Sequence, residues 1–381
     1  MKKLNFIIKY GLALLLLSFY SCESWLNVTP SDRLSEEMLF NDREGFVKAL
    51  NGVYIELNTN ELYGRNLTAG ALDVMGQYYS VASSSHAFYN YGGLVYTGND
   101  EKALFDNMWQ KCYAVIACCN TIIEKCDENK AGLSPVWKGA IKGEALALRA
   151  MLHFDMLRLF GPLTSELDKE SIPYQTNSDQ TVTPLLSGSE VIGLILDDLK
   201  NAVGLLKDTD PYFVEEEFSD TDLNYRRFRM NYFAAKGLMA RVQLWGGDKE
   251  KAAITAKEVI AEGQAEGAEF FPFVTNSEAT SSNPDRVFYS EVLFGTYHSS
   301  REKLHEDLFA PTLESTSILT LAGTARRDDL YDNENDYRYS VWSTYNKNGT
   351  SVLYHRKFEK QDNVTASRQY MKIGRASCRE R

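Results

Sequence analysis

Tyr78, Tyr79, Phe88, Tyr89, Tyr91 and Tyr96 fall between Gln77 and Tyr96, interleaved with serines, glycines and amides. Neither a helical nor a strand period orders them. Aromatic faces carried on a loop can bury the apolar face of a sugar ring, while carboxylates and amides bind its hydroxyls. Asp73 and Gln77 supply such groups beside the first tyrosines. Candidate ligand contacts are therefore Asp73, Gln77, Tyr78, Tyr89 and Tyr91. A peptide could use the same set, because tyrosine offers rigid amphipathic area. The content of 22 tyrosines fits a protein that stacks against something.

Catalytic chemistry has no comparable foothold. The sequence contains no GxSxG elbow, no HExxH and no phosphate loop, so neither an enzyme nor a cofactor is expected. His86, His153, His298, His305 and His355 are scattered. His298 and His305 would share a helix face, yet no third metal ligand accompanies them. A glycosidase needs two carboxylates about 5–10 Å apart across a sugar, which the adjacent Glu215, Glu216 and Glu217 do not supply. They read as a solvated acidic loop. Asp328, Asp329, Asp332, Glu334 and Asp336 alternate as calcium loops do, but without the turn glycine and closing glutamate. Cys112, Cys119 and Cys126 recur every seven residues on one helix face, about 10 Å apart and too far to bridge. With Cys118 they read as buried free thiols.

The chain opens with Lys2, Lys3 and Lys9, an apolar run from Gly11 to Tyr20, and Ser21-Cys22. About ten apolar residues cannot span a hydrocarbon core of roughly 30 Å, so residues 1–21 read as an export signal. A cysteine at the cleavage point predicts a bacterial lipoprotein acylated on Cys22 and held in the membrane by several chains. Phe19-Tyr20 depart from the usual leucine and small residue at those positions. The formal charge is −11, or −14 without the leader lysines. Such a surface argues against nucleic acid and anionic headgroups as partners.

The elements that must carry the aromatic segment are helical. Asn41 and Glu44 read as N-cap and N3 of a helix through Phe46, Leu50, Val53 and Leu57. Phe105, Trp109, Cys112, Ile116, Cys119, Ile123 and Cys126 mark an amphipathic stripe over six turns. Trp137 to Met151 outline another helix, stopped at Gly161-Pro162. Ser187 and Glu190 form a capping box. From Asn231 to Glu262 two helices flank a Gly246-Gly247-Asp248 turn, a hairpin of tetratricopeptide size. Beyond Phe273 the texture changes: Val287–Phe294 reads as a short strand, followed by irregular aromatic-rich chain to Lys372.

Trp25 through Leu34, Asn51-Gly52-Val53-Tyr54, Trp109 with Tyr113 and Asn120, and Lys142 through Ala150 occur in one order. Phe154 to Pro162, Ile172-Pro173-Tyr174, Thr183-Pro184, Asp198-Leu199-Lys200 and Ala240-Arg241 continue it. Behind a lipoprotein leader, this series resembles the SusD/RagB family of nutrient-binding outer membrane lipoproteins of Bacteroidota. The resemblance covers Cys22 to about Lys372. It implies a mainly α fold, a tetratricopeptide-like helical-repeat superhelix with an irregular, loop-rich C-terminal region. It also implies surface exposure and delivery of glycans to a SusC-like TonB-dependent transporter. A RagB-type peptide binder and a lipid-anchored scaffold without nutrient binding are the alternatives. In the family the ligand face draws on the C-terminal region as well, where Tyr297, Trp342 and Tyr345 are available. The expected organisation is a leader at 1–21, a helical-repeat region at 22–275 and a partial C-terminal region at 276–372. Residues 373–381 resemble a translated sequencing adapter, which predicts a longer natural chain with further helices. Without them the mature charge is −16.

Overall fold

The computed structural model describes residues 36–360, apart from 180, 219–222, 224, 265–269, 332 and 334, together with the strand Tyr370–Lys372. The leader, Cys22 and residues 373–381 lie outside the described residues. Six helices form the scaffold: α1 (Arg43–Leu57), α2 (Asn99–Glu128), α3 (Pro135–Phe160), α4 (Gly188–Thr209), α5 (Tyr232–Trp245) and α6 (Lys249–Gly263). Each from α2 to α6 packs on the next, and α1 closes against α2. The fold is the mainly α, tetratricopeptide-like arrangement that the sequence predicts.

Local chemistry sets the helix ends. Asp42, not Asn41, caps α1, its Oδ1 accepting from the Gly45 N–H. Both residues can cap, and the frame differs by one. Ser187 and Glu190 make the reciprocal capping box of α4. Ser134 accepts from the Trp137 N–H, Pro135 opens α3, and Gly161 follows its last residue. The seven-residue stripe of α2 is buried at Cys112, Cys119 and Cys126, whereas Cys118 is exposed, against expectation. It lies one residue off the stripe, about 100° round the helix, and so faces outward. Burial raises the three inward thiols, Cys126 to about 12.

Helix α3 is the axis of the scaffold, buried at nearly every position from Gly139 to Leu157. A Cβ on Gly139 would stand 2.6 Å from Thr209 Cγ2, and one on Gly143 would stand 2.7 Å from Leu206 Cγ. Glycine at these positions lets α4 lie close. Charged residues on so buried a helix need partners. Glu144 accepts from Tyr54, Arg226 and Arg229, and Arg226 also grips Asp210 at 2.8 and 2.9 Å. Arg149 binds both oxygens of Asp198 at 2.7 Å, and Tyr174 donates to the same carboxylate. These pairs account for the family-like runs Lys142–Ala150 and Asp198–Lys200: they join helices across the core.

Three two-stranded antiparallel sheets complete the described chain. They pair β1 (Glu170–Pro173) with β2 (Leu185–Ser187), β3 (Gly295–Tyr297) with β6 (Tyr370–Lys372), and β4 (Trp342–Lys347) with β5 (Thr350–His355). Helices α7 (Arg301–Leu308) and α8 (Thr324–Leu330) lie between β3 and β4. The expected strand over Val287–Phe294 is instead a 3-10 turn at Tyr289–Glu291, with β3 starting at Gly295. Asp285 explains the change, because its carboxylate accepts from the Val287, Phe288 and Tyr289 N–H groups and curls the backbone away from a ladder. The β4–β5 hairpin stands where irregular chain was expected. Its turn is Asn348-Gly349, at φ 52° and 85°.

Hydrophobic burial separates a large helical core from a second core. The second core joins Tyr79, Phe88 and Tyr91 to Leu304, Phe309, Leu319, Trp342, Leu353 and Phe358. A bridge between Ser80 and Thr320 ties the two contributing segments.

Candidate ligand-binding surface

Two short helical turns, Ala71–Met75 and Tyr89–Gly92, frame the aromatic segment. Gln77 adopts a left-handed conformation at φ 58°, reversing the chain after the first turn. Its Nε2 donates to the Gly92 carbonyl at 2.9 Å, fastening the second turn against the first. Asp73 is half-buried on the first turn, and its carbonyl accepts from the Tyr78 N–H.

Burial divides the candidates. Tyr89 is 42% exposed and can present a ring face. Tyr78 is half-buried, edge-on to Tyr79 at 4.9 Å. Tyr91 is 3% exposed, packed against Phe88, Tyr96 and Phe105, and burial pushes its hydroxyl up to about 12. Trp342 is 4% exposed, in ring contact with Tyr79 and His355. Tyr91 and Trp342 are therefore core residues and offer no free ring face, contrary to the sequence expectation. Tyr297 is 44% exposed but belongs elsewhere, its ring edge-on to Phe228 at 5.8 Å. Tyr345 is exposed on β4.

The structure adds residues that the sequence reading did not single out. The Tyr78 hydroxyl meets the Tyr331 hydroxyl at 2.9 Å, across 253 positions of chain. Arg338 lies over the Tyr331 ring at 5.6 Å and is held by Asp336. Arg327 lies over Tyr339 at 4.1 Å, and Tyr339 donates to Asp328. A visible signal existed in Tyr331, Tyr337, Arg338 and Tyr339, where aromatics alternate with charges. The carboxylates of the same stretch resemble a calcium loop only without its turn glycine and closing glutamate. Asp328 and Asp336 engage arginines and a tyrosine, while Asp332 and Glu334 lie outside the described residues. Among the described residues no group of His, Cys, Asp or Glu is placed to hold a metal.

Gln77, Tyr78, Tyr89, Asn90 and Tyr331 give exposed or half-exposed rings, hydroxyls and amides on segments that pack into the second core. Asn90 is oriented by its bond to Glu101 at 2.9 Å. This arrangement can stack and hydrogen-bond a polyhydroxylated ligand.

Helix order and packing together define a helical-repeat protein. Residues 24–244 match the SusD-like family described as "Starch-binding associating with outer membrane", and the chain belongs to that family. SusD-like protein P2 of Formosa agariphila is 26% identical over 265 residues, covering 68% of this chain and 46% of the relative. SusD-like protein P38 of the same organism is 25% identical, covering 64% and 43%. The chain thus spans just under half the length of these curated relatives. Among solved structures, a SusD superfamily protein from Bacteroides thetaiotaomicron aligns with a TM-score of 0.67 at 20% identity, over 88% of this chain and 73% of that one. A SusD-like carbohydrate binding protein from Bacteroides vulgatus aligns with a TM-score of 0.64 at 20% identity, over 87% and 68%. These likenesses establish the fold. Among the described residues no helix is long and apolar enough to cross a membrane.

Proposed function

We propose that this protein is a surface lipoprotein that captures glycans and passes them to a SusC-like TonB-dependent transporter in the outer membrane. The observation that carries the reading is the Tyr78–Tyr331 hydroxyl pair, with Gln77 next to Tyr78 in the chain and fastened to the turn that carries Tyr89 and Asn90. Membership of a family described as starch-binding, and a relative in fold described as carbohydrate binding, support a sugar ligand. Asp73 and the exposed Tyr297 are secondary contacts to probe.

Calorimetric titration with oligosaccharides and with short peptides tests the ligand. Tyr331→Ala and Tyr89→Ala should each weaken glycan binding by about 1 kcal/mol, or roughly fivefold, while helical content holds. Undiminished affinity in the double variant, or binding of peptides alone, would overturn the glycan assignment.

Anchoring follows from acylation of Cys22, which tethers the protein where it can cover a transporter's mouth. Purified from outer membranes in mild detergent, the unaltered protein should bring a TonB-dependent β-barrel with it. Cys22→Ala should leave the membrane fraction and lose the barrel. A variant still membrane-bound would sink the lipoprotein assignment, and a wild type that recovers no barrel would favour a scaffold.

A further inference from the structure

Three of the five histidines, His86, His305 and His355, lie on segments that form the second core, whereas His153 lies in the helical core. The two settings differ. His153 is fully provided for as a neutral ring: Nδ1 faces the Arg149 carbonyl at 3.0 Å and Nε2 accepts from the Gln175 N–H at 3.0 Å. It also stacks on Tyr174 at 4.0 Å, and burial pushes it down to about 3.

His355 is surrounded by rings, with Trp342 at 4.5 Å, Phe309 at 5.7 Å, Tyr79 at 6.1 Å and Phe358 at 6.3 Å. Its Nδ1 is buried without a hydrogen-bond partner. The charges acting on it are both cationic, Lys357 beside it in the chain and His305 from α7. His305 is equally buried, with Nε2 unpartnered. Glu359 and Glu306 favour its proton, but Arg286 and Arg356 oppose it, and Glu359 is already shared by those two arginines at 3.3 and 2.8 Å. His86 accepts from the Phe88 N–H at Nδ1; burial lowers it, against the pull of the nearby Ser317 and Ile318 backbone.

We propose that the second core is an acid-sensitive latch: protonation of His355 and His305 loosens the layer carrying Tyr331 from the aromatic segment, while the helical scaffold stays folded. Among the described residues a cation at His355 would sit between aromatic edges and like charges, with no carboxylate bonded to it, so the closed form keeps the ring neutral. The sign follows. Burial lowers both groups in the closed form, whereas an opened histidine titrates near 6.5. Opening therefore takes up protons once the pH falls below about 6.5, and acid favours it. An opened histidine is already half protonated at pH about 6.5, so over the next pH unit each proton taken up makes opening about fivefold more favourable, and two give about thirtyfold. The consequence for ligand release rests on the proposed function; the loosening does not.

Hydrogen exchange of the full chain, corrected for intrinsic rates, tests this without any ligand. Between about pH 6.5 and 5.5, segments 77–91, 301–321 and 342–358 should open about thirtyfold more readily, while 105–126 and 140–157 keep their protection. His355→Phe, which keeps a ring and cannot ionise, should cut that rise to about fivefold. Should that variant not fold, His305→Gln must reduce the slope in its place. Joint opening of both cores, no rise in the second core, or an unchanged slope in the folded variant would each overturn the proposal. Glycan titration at pH 7 separates the two readings: binding can fail there while the latch still opens in acid, and the reverse.

Discussion

A tyrosine ring has the same area wherever it sits, and burial decides whether a ligand can reach it. Tyr89 and Tyr91 are two residues apart, yet one is 42% exposed and the other 3%. In a helical turn the two positions lie about 200° apart, so only one can face outward. Tyr91→Ala should therefore act on stability, lowering unfolding free energy by about 3–5 kcal/mol, whereas Tyr89→Ala should stay within about 0.5 kcal/mol. Urea unfolding followed by near-ultraviolet dichroism measures both, and equal losses would contradict the assignment of faces. The sequence brought these rings forward by density alone. It could not rank them, because what covers Tyr79 and Tyr91 includes Phe309, Trp342 and Phe105, which approach only in three dimensions. Tyr331 carries a local signal of aromatics alternating with charges, but its pairing with Tyr78 spans 253 positions of chain.

At the scale of elements, legibility followed the strength of local signals. The period of α2, the capping box of α4 and the glycine turn between α5 and α6 each rest on residues a few positions apart, and all stand as expected. Asn41-Asp42 presented two competent caps in succession, and the helix took the second. The Val287–Phe294 run carries β-branched and aromatic residues that favour a strand. Asp285 outbids that preference locally by accepting from three successive N–H groups. The Asn348-Gly349 turn was readable in principle, since this dipeptide suits a turn with two positive φ values. Its flanks Trp342–Lys347 and Thr350–His355 are too polar in the middle to announce themselves as strands.

At the scale of the whole molecule, acid should act on the two cores through opposite kinds of group. In the second core, neutral histidines resist protonation and yield first. In the helical core the sensitive group is Glu144, fully buried yet joined to Tyr54 of α1, to Arg226 and Arg229 before α5, and through Arg226 to Asp210 after α4. Burial alone would raise its carboxyl, but Arg229 and Arg226 together hold it below the usual range. A depressed carboxylate contributes stability that is complete above its unfolded value, about 4.3, and is lost as pH falls through the folded one. The scaffold should thus outlast the second core on acidification. Removing the charge at neutral pH should imitate the later step. In Glu144→Gln the buried Arg226 would keep only Asp210 as a carboxylate, Arg229 would lose its ion pair, and an ion network broken on one side costs about 3–5 kcal/mol. Urea unfolding read by far-ultraviolet dichroism should show the helical transition at a lower midpoint with its slope unchanged. Swapping in Glu144→Met is the harsher companion, since it also removes the acceptor for Tyr54. If both variants unfold at the wild-type midpoint, the network is dispensable and hydrophobic contact along α3 and α4 suffices to hold the scaffold.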